Sequence, residues 1–248
     1  MTEIEIAFAA GIFIIAGIAK GTLGIGLPTI AVSLMSQVMD PRLAVTLAIG
    51  PILLTNAIQA LRSGHILRTL RRYAAYWVTL GIVISISAMF AQYLSAQAIL
   101  LIMGIGVITF TLAQLLFHPP PLPPRMHKFG QAIAGTLSGI MGGVTAVWGP
   151  PILIYLIAAR VDKDEFVRAS GTLLTAGAIP LMIAYMWQGE LWGERAYVSF
   201  ALAVPSLIGF AIGEKFREKL DPEKFQTAVL VMFLLLGANI VRRGLMGA

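Results

Sequence analysis

The sequence predicts an all-helical protein that crosses a membrane several times and consists of two homologous halves. Three observations support this fold class: the composition, the series of apolar runs and a glycine pattern that occurs twice. Hydrophobic residues make up 58% of the 248 residues and charged residues only 12%, whereas a soluble domain carries about 25% charged residues. The mean hydropathy is +0.84. Such a composition is typical of an integral membrane protein.

Eight apolar segments follow one another along the chain, and most have the length of one span of about 20 residues. Asp40-Pro41 and Asp221-Pro222 precede two of them, each offering an Asp cap and a proline in the first helical turn. The segments cover residues 5–38, 43–61, 73–94, 98–117, 129–159, 166–187, 195–213 and 223–241.

A glycine pattern in the first segment returns in the fifth. Gly17, Gly21 and Gly24 correspond to glycines 118 positions later, and both copies end in glycine and proline before an apolar run. The matched ends are Gly26-Leu27-Pro28 and Gly149-Pro150-Pro151, and the later glycines are Gly135, Gly139 and Gly142. We therefore predict a first repeat at 1–117, a proline-rich linker at 118–128 and a second repeat at 129–248. Each repeat would hold one long segment broken at its glycines and three ordinary spans.

Two topologies fit these segments. In the first, all eight cross the membrane once, and Lys and Arg then divide nine to eight between the two sides. In the second, 5–38 and 129–159 fold at their glycines into re-entrant hairpins, because a straight helix over 5–38 would measure about 50 Å against a core of about 30 Å. Both limbs of a hairpin would then reach about the midplane. Three crossings per half would also make the halves inverted repeats.

The positive-inside rule favours the hairpins. Four basic residues then lie outside, Lys20 lies in the membrane, and thirteen lie inside. Arg242 and Arg243 are among the outer four and count against this arrangement. The inner residues are Arg62, Arg68, Arg71, Arg72, Arg125, Lys128, Arg160, Lys163, Arg168, Lys215, Arg217, Lys219 and Lys224, and the outer ones are Arg42, Arg195, Arg242 and Arg243.

Several functions are disfavoured by what the sequence lacks. It contains no cysteine, so thiolate metal sites and thiol nucleophiles are excluded. No phosphate-binding loop motif is present, so we expect no ATP hydrolysis by this chain. The basic residues lie between apolar runs, as membrane topology requires, and do not suggest nucleic acid. We also expect no enzymatic activity, cofactor or metal, and no cleavable signal peptide, because the N-terminus is acidic. We interpret His127 as a solvated loop residue and Glu165 as a loop or cap carboxylate.

The two breaks instead predict a site for a small anion. Pro28 and Pro150 each begin the second limb of a broken segment, and a helix N-terminus carries partial positive charge and free N–H groups. The alternative is that the glycines only allow close helix packing. We expect Gly26→Leu and Gly149→Leu to abolish function, and a similar change at Gly104 to be milder. The candidate residues at the breaks are Gly21, Thr22, Gly24, Gly26, Pro28, Gly139, Gly142, Gly143, Thr145, Gly149 and Pro150.

Five further polar or aromatic residues are candidates for substrate binding. Lys20 adjoins the first break, and a lysine at membrane depth is costly and often functional; alternatively it snorkels or pairs with a carbonyl. Asn56 and Gln59 share a helix face and either line the path or join helices by hydrogen bonds. Thr175 has the equivalent position in the second half. Trp148 either caps the pocket or packs.

Taken together, the repeated glycine break, Gly149-Pro150-Pro151 with its following apolar run and the four-segment duplication resemble the TauE/SafE sulfite exporter family. The resemblance covers essentially the whole chain. It implies a multi-pass permease in a prokaryotic cytoplasmic membrane that exports sulfite, sulfonates such as sulfoacetate, or related sulfur oxyanions. An anion channel and a membrane subunit of a larger complex are the alternatives. The expected partners are a small anionic substrate and lipid, and a homo-oligomer is left open.

Overall fold

The computed structural model describes residues 2–116, 119–216 and 222–246, and over this part of the chain its regular structure is helical, without a strand. Seven stretches are long and apolar enough to cross a membrane, which agrees with the predicted membrane protein. The helices are α1 (Glu3–Leu23), α2 (Leu27–Met35), α3 (Pro41–Ser63), α4 (Ile66–Arg72), α5 (Ala74–Ala91), α6 (Ala96–Leu116), α7 (His127–Thr145), α8 (Gly149–Ala158), α9 (Lys163–Trp187), α10 (Gly193–Ala201), α11 (Ala203–Phe216) and α12 (Pro222–Met246).

Helix starts follow the local sequence. Asp40 accepts the amide hydrogen of Arg42 at 2.8 Å, and Pro41 occupies the first turn of α3, which confirms the predicted start. Asp162 caps α9 in the same way through the amide of Glu165, also at 2.8 Å. That hydrogen bond lowers the pKa of the Asp162 carboxyl. The predicted cap at Asp221 lies outside the described residues.

Both long segments are divided at their glycine patterns into a longer and a shorter helix. α1 and α2 have 21 and 9 residues, and α7 and α8 have 19 and 10. At 1.5 Å per residue, α1 measures about 31 Å and α2 about 13 Å. α1 is therefore longer than a limb that reaches only the midplane, because its helix continues without interruption to Gly24, whereas α2 has the length of such a limb.

The longer helix of each pair packs closely on a helix of the other half of the sequence. Gly17 and Gly21 of α1 face α11, where a Cβ on Gly21 would lie 2.2 Å from the carbonyl oxygen of Phe210. Gly135 of α7 faces α5 in the same way, with a Cβ there 2.4 Å from the carbonyl oxygen of Tyr76. Contacts advance along both helices in the same direction, so each pair is parallel. Small residues thus bring the backbones together, as is typical of membrane helices.

Among the other long helices, α3 pairs with α9 and α6 with α12. Charged contacts mark the two ends of the bundle. Arg72 lies 3.2 Å from Glu165, and Arg62 lies 2.9 Å from Glu214, at what we call the Arg72 end. At the opposite end, the Arg42 end, the Arg42 guanidinium donates to the main-chain carbonyl of Gln92 at 3.0 Å, after the end of α5.

Candidate functional site

The first break is an uncapped glycine turn. Gly24 ends α1 with φ 81°, and Gly26 precedes α2 with φ 101°, backbone conformations that residues with a Cβ adopt only with strain. No side chain caps α2. Little surrounds these glycines, since a Cβ at Gly26 would meet only the ring of Phe233, at 4.0 Å. Pro28 stands in the first turn of α2, where proline is favoured.

The second break is held by side-chain hydrogen bonds. Ala146 turns the chain with φ 58°, and the Val147 amide donates to the Thr145 hydroxyl at 3.2 Å. The Ser138 hydroxyl donates to the Trp148 carbonyl at 2.7 Å and accepts from the Tyr76 hydroxyl at 3.0 Å. Its residues are therefore fixed by α5 and α7 before α8 begins.

Both breaks line one cavity of about 260 Å³. Gly26 and Pro28 lie on one side of it, and Trp148, Gly149 and Pro150 on the other. These five predicted site residues are brought together although about 120 positions separate the two groups. The remaining wall is mainly apolar and comes from α6, α9 and α12, with the rings of Phe110, Phe166 and Phe233.

The polar groups at this cavity are few. A helix N-terminus presents free N–H groups and partial positive charge, and the first turns of both α2 and α8 face the space. Proline has no N–H, so Pro150 and Pro151 leave α8 with fewer donors than α2, whose first turn contains only Pro28. Thr29 also lines the cavity, with 4% of the residue exposed, and its hydroxyl has no hydrogen-bond partner among the described residues.

Lys20 does not line the cavity. Its side chain is buried, with 1% exposed, and its Nζ donates a hydrogen bond to Oδ1 of Asn56 on α3. Among the described residues no carboxylate pairs with it, and Nδ2 of Asn56 is buried without a partner. Leu23, one helical turn after Lys20, does line the cavity. A buried ammonium with one amide acceptor is costly, and this one stands one turn from the space between the breaks.

Gln59 and Thr175 are engaged elsewhere. The Gln59 side-chain amide donates to the Val167 carbonyl at 3.1 Å and to the Ser170 hydroxyl at 3.2 Å, which joins α3 to α9. The Thr175 hydroxyl donates to the Gly171 carbonyl at 2.8 Å. Thr175 lines a different cavity, of about 290 Å³, between α3, α4 and α9.

Other candidates at the breaks serve helix packing. A Cβ at Gly139 would lie 2.6 Å from the Cβ of Val83, and a Cβ at Gly143 would lie 2.0 Å from the Ser87 hydroxyl oxygen. A Cβ at Gly142 would lie 2.8 Å from the Cβ of Trp148. Gly21 meets α11 as described above, whereas nothing lies within 4 Å of a Cβ at Gly24.

The threonine hydroxyls predicted as anion donors have main-chain partners. Thr22 donates to the carbonyls of Ile18 at 2.9 Å and Gly213 at 3.2 Å. Thr145 donates to the carbonyl of Met141 at 2.8 Å. Thr29 lines the cavity instead, although the sequence did not single it out. The available signal for Thr29 was its position directly after Gly26-Leu27-Pro28, within the first turn of a helix. Gln114 is the other polar side chain at the cavity, and its signal was that it stands alone in an apolar run.

A second polar cluster lies at the Arg72 end. The sequence predicts that Glu165 is a loop or cap carboxylate, but it is buried in the first turn of α9, 3.2 Å from Arg72 and 3.0 Å from Arg168, and accepts from the Tyr73 hydroxyl at 3.0 Å. Burial and this carboxylate raise the pKa of the Tyr73 phenol. His127 was interpreted as a solvated loop residue. It begins α7, is half-buried and lies 3.1 Å from the Tyr155 hydroxyl.

Comparison with known proteins decides the family. The model of the family described as sulfite exporter TauE/SafE matches residues 8–240, nearly the whole chain. The chain belongs to the TauE/SafE family. It is therefore a multi-pass membrane transporter of the sulfite exporter type, as the repeated glycine break suggested. Neither the curated proteins nor the solved structures gave a match to the chain. The TauE/SafE assignment does not by itself identify the substrate or its site.

Proposed function

We propose that the chain exports sulfite, organosulfonates or related small sulfur oxyanions across a prokaryotic cytoplasmic membrane. The substrate would bind in the cavity between the two breaks. The observation that carries this proposal is that the N-terminal turns of α2 and α8, each shorter than a membrane span, line the same buried space. Broken helices whose N-termini face an anionic group are a recurring arrangement in transporters.

Electrostatics favour an anion in this space. Each helix N-terminus contributes about half a positive charge, and apolar walls reduce the screening of that charge. Gly26 and Gly149 leave the adjoining backbone uncovered, since the space around a Cβ at either position is open to at least 3.7 Å. Thr29 adds a hydroxyl donor. Lys20 adds a positive charge one turn from Leu23, close enough to strengthen the field without blocking the cavity.

We also propose that the halves are inverted, each with one re-entrant hairpin. Helix directions support this. α3 runs from the Arg42 end to the Arg72 end, and α9, its equivalent, runs the opposite way. The outer ends of α1 and α2 lie at the Arg42 end, while those of α7 and α8 lie at the Arg72 end. Helix packing and the Leu122–Ala158 hydrogen bond support these positions.

The charge distribution supports a cytoplasmic Arg72 end. The Arg42 end includes Arg195, which pairs with Glu190, and Arg243, which donates to the Ser36 carbonyl at the end of α2. These basic residues are among the four assigned to the outside. Of the thirteen assigned inside, Arg217 and Lys219 lie outside the described residues, as does the side chain of Lys224. We therefore propose, from the positive-inside rule, that the Arg72 end faces the cytoplasm.

The test compares two glycine-to-leucine variants. Gly149→Leu would place a side chain in the cavity without backbone strain, since φ is not positive there and the nearest atom to a Cβ, on Leu174, is 3.7 Å away. Gly81→Leu is the control, because nothing lies within 4 Å of its Cβ. Gly104, expected from the sequence to tolerate change, is a poor control: a Cβ there would lie 2.7 Å from Val241.

Sulfite and sulfoacetate efflux from proteoliposomes is measured for the parent and both variants, with thermal unfolding as a check on folding. We expect Gly149→Leu to lose transport while remaining folded and Gly81→Leu to retain it. Saturation and counter-transport would identify a carrier, and their absence an anion channel. Undiminished transport by a folded Gly149→Leu protein would contradict binding in this cavity, and inactivity of the purified parent toward every sulfur oxyanion would contradict the function itself.

A further inference from the structure

We propose that the groove between α6, α7 and α8 binds an anionic glycerophospholipid. One acyl chain would lie in the groove, and the phosphate would contact Arg125, Lys128 and Arg160 at its mouth. This site is separate from the cavity between the breaks and does not depend on the transported substrate.

The groove has the dimensions and lining of an acyl-chain site. Its volume is about 660 Å³, and its walls are almost entirely apolar. On α6 it extends from Ile102 to Ala113, about 16 Å at 1.5 Å per residue. Several wall residues face outward, with Ile105 56% and Leu137 50% exposed. The groove is therefore open along its side to the surrounding hydrocarbon.

The mouth of the groove lies at the Arg72 end, at the level expected for a headgroup. There the Leu122 amide donates to the carbonyl of Ala158 at 2.8 Å, which ties the linker to the end of α8. Leu122 and Ala158 both line the groove. Arg125 lies three residues after Leu122, Lys128 lies in the first turn of α7, and Arg160 lies two residues after Ala158. The three cations thus flank one opening.

These cations are available to an external anion. All three are exposed, and none has an ion-pair or hydrogen-bond partner among the described residues. Two of the acidic groups near this end are occupied, since Glu165 pairs with Arg72 and Arg168 and Asp162 caps α9, whereas Asp164 is exposed in the first turn of α9. Basic residues at the mouth of a pocket between membrane helices, on the cytoplasmic side, suit an anionic lipid headgroup.

A phospholipid satisfies both parts of the site at once. Its acyl chain covers the apolar walls, and its phosphate neutralises the cluster. A second copy of the chain would have to supply an apolar ridge and an acidic group together. A free anion such as inorganic phosphate would leave the groove empty.

The experiment measures lipid preference in the purified full-length protein. Binding of dioleoyl phosphatidylglycerol and dioleoyl phosphatidylcholine is compared by native mass spectrometry, with glycerol phosphate as a headgroup without chains. The variant Arg125→Gln/Lys128→Gln removes two cations at the mouth. Arg68→Gln/Arg71→Gln removes two exposed cations from α4 at the same end and is matched in charge. Ala113→Phe fills the groove without changing charge.

Each Lys or Arg near an anionic surface strengthens binding by about fivefold. The double variant should therefore lose roughly tenfold to thirtyfold in affinity for dioleoyl phosphatidylglycerol. The control should stay within about threefold. Ala113→Phe should weaken both lipids, and glycerol phosphate should not compete. Equal binding by the double variant and its control would overturn the proposal. Tight lipid binding by Ala113→Phe, or a dimer that excludes lipid from this face, would overturn it as well.

Discussion

The two breaks perform the same interruption of a helix by different means. The first uses glycine twice, at Gly24 and Gly26, and has no side-chain cap. The second turns at Ala146 and is held by hydrogen bonds from Ser138 and to Thr145. In the first half the position equivalent to Ser138 is Lys20, whose Nζ donates a hydrogen bond to Oδ1 of Asn56 on α3.

The two breaks therefore give the cavity two different sides. The first has an open backbone and a buried amine nearby. The second is a fixed wall, with Trp148 buried to 1% exposure against Gly142 and close to Gly177. We infer that the first break supplies most of the positive charge and hydrogen-bond donors for the anion, whereas the second determines the shape of the cavity.

Opposite orientation of the two hairpins gives the largest expected effect, because labelling is all or none. The chain has no cysteine, so single cysteines report cleanly. Val38→Cys, after α2, should label only from outside, as should Glu190→Cys. Lys128→Cys, in α7, should label only from the cytoplasm, as should Arg68→Cys. Accessibility of positions 38 and 128 from the same side would show that the hairpins are not inverted.

Removal of the fixed wall should cost the most stability. Trp148→Ala should reduce the free energy of unfolding by about 3–5 kcal/mol, because a large side chain is lost from a packed site. Trp148→Phe should cost clearly less, since the indole Nε1 makes no hydrogen bond among the described residues. Ile25→Ala, at the half-buried first break, is the comparison. Thermal and denaturant unfolding in detergent measure the stability of all three variants. Equal losses of stability in Trp148→Ala and Ile25→Ala would show that the second break is no more firmly packed than the first.

Lys20 should affect anion affinity more than stability. If its ammonium acts on the cavity, Lys20→Met keeps the apolar stem but removes a charge-assisted interaction of about 1.5–3 kcal/mol. Affinity for sulfite should then fall roughly tenfold to a hundredfold, and Lys20→Arg should retain part of it. Calorimetric titration of the parent and both variants gives these values. Binding by Lys20→Met within about twofold of the parent would leave the α2 and α8 N-termini and Thr29 as the anion ligands.

The smallest effect concerns the glycines themselves. Gly26→Ala should destabilise the protein by about 1–2 kcal/mol, because its φ of 101° is strained for a residue with a Cβ. Gly149→Ala should be neutral or slightly stabilising, since alanine is favoured over glycine inside a helix. Unfolding curves of the two variants give the comparison directly. A similar loss in both would indicate that Gly149 also needs a special backbone conformation.

Much of the fold was predictable because lipid imposes simple rules. Apolar runs of span length predict helices, and Asp40-Pro41 predicts a helix start, as found. The paired glycine–proline ends also located Gly26 and Gly149, which do face a common cavity. These predictions depend on residues close in sequence, where backbone conformation and hydrogen bonding are decided locally.

The contacts that the sequence did not predict depend on which helix packs against which. The pattern around Gly139 and Gly143 is the same for a glycine that exposes its amide and for one that meets a neighbouring helix. Only the position of α5 distinguishes the two. The pairing of Lys20 with Asn56 likewise joins residues 36 positions apart on different helices. Thr22 and Thr145 have hydroxyls of the right type, but the nearest carbonyls of their own helices already accept their hydrogen atoms.

The crossed pairing of helices has a consequence for motion. α1 belongs to the first half but is in backbone contact with α11 of the second, and α7 is held in the same way by α5. Any movement that preserves these contacts must carry a helix of one half together with a helix of the other. A transport cycle that keeps these contacts therefore cannot move the two halves of the sequence as separate rigid bodies. Each moving body would instead contain helices from both halves.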